Sequence, residues 1–217
     1  MRLGCFGCLA LLVVILVVAV GALGIVFLSG NITSPPDNVR PVRFTRADGY
    51  SAQQKLYEVV LRQSGRSSRQ DPVVISEQEA NAFLANHLAE AADLPFSPLS
   101  VRFTNGEIEF AGQTALRNLL QGPPFAQLLP YVSDSRLDTP LWVTVKGRVV
   151  VETAPAGSAR AFGRVDLSEF ALGKQNLGTW LLSLMLGSTS TRVLRWQIPA
   201  IIQEVQVQDG KVVIVTR

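Results

Sequence analysis

Apolar positions in this chain are first crowded into one block and afterwards fall into regular periods. From Leu9 to Leu28 the sequence LALLVVILVVAVGALGIVFL has no polar side chain, and no charge occurs between Leu3 and Pro36. About 20 residues at 1.5 Å rise match the hydrocarbon thickness of a bilayer, so the block predicts a membrane-spanning helix over 9–28. A secretory signal has a shorter apolar region and small residues at its cleavage site. Here Ala19-Val-Gly21 is followed by more apolar sequence, and Leu28 fills the outer small position of Leu28-Ser-Gly30. An uncleaved anchor fits this pattern better than its alternative, a cleaved signal. Arg2 lies on one flank and Arg40, Arg43 and Arg46 on the other, so charge alone does not orient the segment. A short tail ahead of a first apolar segment, with one folded domain after it, favours a cytoplasmic tail over 1–8 and an exported domain.

Beyond the block, SGNITSPPDNVRPVRF is rich in turn formers and prolines and reads as a linker over 29–49. An extracytoplasmic domain over 50–217 follows. SAQQKLYEVVLRQSG places Ser51 and Gln54 at capping-box spacing, Leu56, Val59 and Val60 at helical spacing, and Gly65 as a stop. ISEQEANAFLANHLAEAA is the best defined helix. Ser76 and Glu79 form its capping box ahead of an apolar stripe through Ala80, Phe83, Leu84, His87 and Leu88.

From Pro98 the period changes from helical to alternating. Asn105-Gly106 inside LSVRFTNGEIEFAG is a strong hairpin signal. A two-residue loop there sets Phe103 opposite Ile108, Val101 opposite Phe110 and Arg102 opposite Glu109. TALRNLLQGPPFAQLLPYV reads as two short helical turns broken at Gly122-Pro-Pro124. In PLWVTVKGRVVVET, Val143, Val145, Val149 and Val151 share one face, and Thr144, Lys146, Arg148 and Glu152 the other. RAFGRVDLSEFALG alternates until Phe170 and Leu172 break the phase, which predicts a bulge near Glu169 or Ala171. NLGTWLLSLMLG is a short helix, hydrophobic nearly all round and expected to be covered on most sides. Asp209-Gly210 joins the last two strands. The fold class is therefore α+β: an N-terminal transmembrane helix, then one domain with a curved antiparallel sheet packed on helices.

Composition narrows the function classes. The net charge of +3 is mild, and the basic residues form neither a stripe nor an aromatic-lined platform, so no nucleic-acid partner is expected. Cys5 and Cys8 are the only cysteines; a lone C-x-x-C at a membrane edge lacks the four ligands of a zinc site. His87 is the only histidine, and it reads as a boundary residue. No nucleophile elbow, zincin motif or phosphate loop is present. Glu107, Glu109, Asp166 and Glu169 fall on the solvent side of the strand alternation. The expectation is a non-enzymatic domain with no catalytic residue, no metal and no cofactor.

What remains is the 178–187 helix against the sheet, which either closes a plain core or lines a groove for an acyl chain. The order of elements resembles the YpmS-like group of bacterial single-anchor proteins. The resemblance runs through the anchor, ISEQEANAFL, NGEIEFAG, FALGKQNLGTWLLSLML and the closing hairpin, and departs at Gly122–Pro130. It implies an architecture related to tubular lipid-binding domains, in which a bent sheet grips a helix around an apolar cavity. On that expectation the ligand-binding residues are Val145, Val149 and Leu167 from the sheet and Trp180, Leu181 and Leu184 from the helix. The expected partners are the bilayer through residues 9–28 and a lipid ligand. The alternative is a structural module with a solid core that holds another envelope protein. The expected location is the plasma (inner) membrane, single-pass, with the C-terminal domain outside the cytoplasm.

Overall fold

A computed structural model describes residues 34–36, 42–88, 95–121, 125–152, 161–186 and 194–217, without the side chains of 87, 88, 125, 128 and 183–186. The apolar block over 9–28, the tail over 1–8 and the His87 side chain thus lie outside the described residues. Among the described residues no helix is long and apolar enough to cross a membrane.

The fold is α+β, with a curved antiparallel sheet and a few helices. Helix α1 (Arg46–Gln63) starts four residues earlier than the linker boundary predicts. Its capping box is Thr45 with Asp48: the Thr45 hydroxyl accepts from Asp48 N, and Thr45 N donates to the Asp48 carboxylate at 2.7 Å. Ser51, expected at the cap, sits inside the helix and donates to Glu79 instead. Strand β1 (Val73–Ser76), which the periodicity leaves unassigned, runs directly into α2 (Glu77–Phe83). The Ser76–Glu79 capping box forms as the spacing predicts. A π-helical turn over Leu84–Leu88 extends α2.

Strands β2 (Leu99–Thr104) and β3 (Glu107–Ala115) pair in the predicted register, with Phe103 opposite Ile108 and Arg102 opposite Glu109. Asn105 and Gly106 both adopt positive φ, the geometry of a type I′ turn. After α3 (Leu116–Leu120), a 3-10 stretch over Phe125–Tyr131 and the short α4 (Asp134–Leu137) come the two longest strands. These are β4 (Pro140–Glu152) and β5 (Ala161–Leu172). Lys146 pairs with Glu169 but Gly147 pairs with Leu167, so Ser168 is the bulged residue, next to the predicted Glu169. A bulge bends its strand and increases the twist. Gly147 is required there, because a Cβ would stand 2.5 Å from a Val165 methyl and 2.9 Å from the Asp166 carbonyl oxygen.

Strand β6 (Gln175–Asn176) pairs with one end of β5, helix α5 (Thr179–Leu186) follows, and β7 (Arg195–Ile198) pairs with the other end of β5. The order β2-β3-β4-β5-β6, with β7 also on β5, makes a six-stranded sheet. A second sheet of three strands is formed by β1, β9 (Lys211–Thr216) and β8 (Ile202–Gln208), in the order β1-β9-β8. The single predicted sheet is therefore two. The pairing of β1 with β9 joins segments near opposite ends of the domain, and local patterning carries no signal for it.

Two apolar clusters cover the inner face of the long sheet. One gathers Leu116, Leu120, Leu137, Leu141, Val143, Phe170, Leu172 and Leu181 around α3, α4 and α5. The other gathers Val59, Val73, Ile75, Val101, Phe103, Val212 and Ile214 between α1, the second sheet and the β2–β3 hairpin. The opposite face is polar and ion-paired around Lys146, as the alternation predicts, whereas Ala111, Thr144 and Ala171 on the same face are buried. Lys146 lies 3.1 Å from Glu169 and 3.6 Å from Glu109, across β3, β4 and β5. Burial works against the charge of Lys146, but the hydrogen bond to Glu169 and the charges of both carboxylates outweigh it and hold the ammonium above its ordinary pKa. Glu109 is more covered than the solvent-facing expectation allows, with only 12% of its side chain exposed.

Candidate functional site

Helices α1 and α2 cross closely because the residues between them are small. Ala52 and Ala82 are 1% and 0% exposed, and a Cβ on Gly49 would stand 2.9 Å from the Asn86 amide nitrogen. A polar clamp fixes the crossing. Lys55 Nζ donates to both Glu79 oxygens at 2.6 and 2.8 Å, the Ser51 hydroxyl donates to Oε1, and Ser76 N donates to Oε2 at 2.8 Å. Burial pushes the Glu79 carboxyl up, but the bonds from Lys55, Ser51 and Ser76 pull harder and hold it below its ordinary pKa. At the other end of α1, Arg62 is buried. Its guanidinium donates to the Asp71 carbonyl at 2.6 Å and to the Thr216 hydroxyl at 2.9 Å, which ties the helix to β9.

A third device closes the outer edge of β2. Asn81 is 1% exposed. Its Nδ2 donates to the carbonyls of Val101 and Glu77, both at 2.7 Å, and its Oδ1 accepts from Val101 N at 2.8 Å. One carboxamide thus pairs with Val101 as a neighbouring strand would. Phe103 N finds the Glu77 carboxylate at 3.1 Å, and the Phe103 carbonyl accepts from Gly210 N. Exposed edges invite pairing with other chains, and α2 removes this one.

These devices hold apart the walls of a pocket of about 220 Å³. Ala52 and Leu56 come from α1, Ala80, Phe83 and Leu84 from α2 and its extension, and Ile75 and Val212 from the small sheet. Val101, Phe103, Ile108 and Phe110 come from the hairpin. All eleven lining side chains are apolar. Phe110, 37% exposed on the inner face of β3, lies where the pocket meets the solvent. A larger open hollow of about 320 Å³ lies between Pro95, Phe96, Gln113, Thr114 and Pro140, but polar side chains and backbone share its lining. The smaller, wholly apolar pocket is the better built receptacle for an apolar group.

The residues expected from the sequence fall elsewhere. Leu181 is 6% exposed and packs into the first cluster with Phe170 and Leu141, with Val145 and Leu182 against it. Val149 and Leu167 lie beyond the β4–β5 bulge and are half-buried. Trp180 is 66% exposed, against the expectation that its helix is covered on most sides. The Leu184 side chain lies outside the described residues. The structure thus brings Val145 and Leu181 to one cluster and leaves Trp180 in solvent. The sequence pattern does not single out the α1–α2 pocket, although Leu56, Ala80, Phe83 and Leu84 all lie on the apolar stripes of the two helices. One member of those stripes, Val60, is 53% exposed.

Among the described residues no group of three or more His, Cys, Asp or Glu side chains could hold a metal ion. No protein-family model matches this chain, and no curated protein matches it.

Proposed function

We propose that this chain is a single-pass, membrane-anchored domain held outside the cytoplasm at the plasma (inner) membrane, where it takes the tail of a lipid or another apolar group into the α1–α2 pocket without catalysis. Membership of the YpmS-like group is part of the same proposal and rests on the order of elements. The observation that carries the reading is the pocket itself: about 220 Å³ with eleven apolar lining residues. A dry apolar cavity of about 150 Å³ is large enough for benzene, so the tail of an acyl chain fits while a whole lipid does not.

Photolabelling of the full chain in lipid nanodiscs tests this. A fatty acid with a diazirine near its methyl end is expected to leave adducts on Phe83, Leu84 and Phe110, and Ala80→Phe is expected to reduce them. Adducts spread evenly over the surface, or unchanged by Ala80→Phe in a folded variant, overturn the pocket reading. Trp180 supports a second reading, an interaction module for another envelope protein, because a two-thirds exposed Trp is the residue type that anchors protein interfaces. Chemical crosslinking of the full chain that recovers one discrete partner, lost in Trp180→Ala, favours that reading.

A further inference from the structure

Helix α1 has a second face, turned away from the pocket. Tyr50, Tyr57 and Val60 are 63%, 58% and 53% exposed, and with Gln53 they form one stripe at helical spacing. Ala52 and Val59, both buried, lie on the opposite side. The stripe carries no carboxylate. Asp48 is turned back to cap Thr45, and Glu58 on the flank is engaged by Arg62 and by the Ser67 hydroxyl. At the N-terminal end of the stripe stand Arg46 and, just before the helix, Arg43 and Phe44, all exposed. Tyrosines beside uncharged polar groups and arginine, on the outside of a helix, match what settles at a membrane–water interface.

The position of α1 in the chain says which surface is in reach. Seventeen residues, 29–45, separate the apolar block from the first residue of the helix. A flexible chain of that length spans about 23 Å, and a fully extended one no more than about 60 Å. Helix α1 is the first described element of the domain and is about 27 Å long.

We propose that this stripe of α1 lies on the surface of the bilayer that holds residues 9–28, with Tyr50, Tyr57 and Val60 at the depth of the headgroups and Arg43 and Arg46 on lipid phosphates. The proposal rests on reading that block as a membrane span, and the test separates the two. The full chain, in a Cys5→Ser, Cys8→Ser background, is placed in nanodiscs of phosphatidylcholine and phosphatidylglycerol. Nitroxides are introduced singly at Tyr57→Cys, Val60→Cys, Tyr131→Cys and Val18→Cys, and folding is checked by circular dichroism. Power-saturation spectroscopy reads access to a water-soluble nickel chelate and to oxygen.

The labels at 57 and 60 are expected to lose access to nickel, while the label at 131, a residue 86% exposed on the 3-10 stretch, keeps it. Equal nickel access at 57, 60 and 131, with 18 shielded, overturns the docking and leaves the anchor standing. Nickel access at 18 overturns the anchor, and the docking with it. Shielding at 57 accompanied by spin–spin broadening between chains overturns the bilayer in favour of a second copy.

Discussion

A straight alkyl chain entering the α1–α2 pocket gains affinity with length only until the pocket is full. At roughly 30 Å³ for each methylene-sized group, about the share of one water molecule in the liquid, a volume of about 220 Å³ accepts about seven of them. Each buried methylene contributes about 0.8 kcal/mol, a factor of about four in affinity per carbon. In the series from butyrate to dodecanoate, the affinity should therefore climb steeply and level off near octanoate. The dissociation constants are expected at tens of millimolar or above, because about 6 kcal/mol of burial must offset an association cost of at least about 4 kcal/mol and leaves about 2 kcal/mol. Titration of the trimmed chain 42–217, followed by methyl NMR at Ala80 and Val212, covers that range, once circular dichroism confirms that the fragment folds. Filling part of the pocket by Ala80→Phe should move the plateau to shorter chains. A slope that continues unchanged to dodecanoate refutes the volume argument, and the absence of shifts at the pocket methyls refutes occupancy.

Four further outcomes follow from the packing. Asn81→Leu leaves the Val101 N–H and carbonyl buried without their partners and is expected to cost about 3–5 kcal/mol in urea unfolding; a loss under about 1 kcal/mol would mean the edge re-pairs by itself. Gly147→Ala drives a methyl into Val165 and the Asp166 carbonyl and should cost about 1–3 kcal/mol, read from the shift in urea midpoint. The Thr144 hydroxyl is buried and has no hydrogen-bond partner among the described residues, so Thr144→Val should be neutral or stabilise by about 1 kcal/mol in the same measurement. The folded-state pKa of Glu79 lies below its unfolded value, so its contribution is present above about pH 4.3 and is lost as the pH falls through the folded value. Acid titration of Glu79→Gln should show a shallower loss of stability in that window than the parent chain, and an identical profile would sink the assignment.

Local chemistry made several of these elements readable. Asn105-Gly106 fixes its own register because few other pairs take positive φ twice. The phase break before Phe170 announces the bulge that Ser168 occupies. Other features turn on choices between equivalent signals. Thr45-x-x-Asp48 and Ser51-x-x-Gln54 have nearly the same capping grammar, and the contest is decided by Glu79, a residue of another helix that captures Ser51. Strand β1 is four residues long and exists only because β9 lies beside it. The pocket was hidden for a related reason. Its wall residues are ordinary core types, and its volume depends on how closely Gly49, Ala52 and Ala82 let two helices approach, which periodicity does not encode. Trp180 shows the reverse: an apolar neighbourhood in sequence need not be a covered one.

The energetics of the pocket return the weight of the functional proposal to the N-terminal block. A gross gain of about 6 kcal/mol is too small for the domain to extract a lipid tail at the micromolar or lower concentrations of free lipid. Held against a bilayer, the same pocket works at an effective lipid concentration orders of magnitude higher, so weak intrinsic affinity suffices for occupancy. On the proposed reading, anchor, docking stripe and pocket would form one arrangement, because α1 supplies one face to each of the last two. The lock between α1 and α2 through Lys55 and Glu79 matters to both, since a tilt of α1 on the membrane would open or close the space beneath Ala52 and Leu56. Breaking that lock with Lys55→Met should therefore alter pocket photolabelling in nanodiscs more than it alters butyrate binding by the trimmed chain in solution. Equal effects in the two settings would mean that the stripe and the pocket act independently.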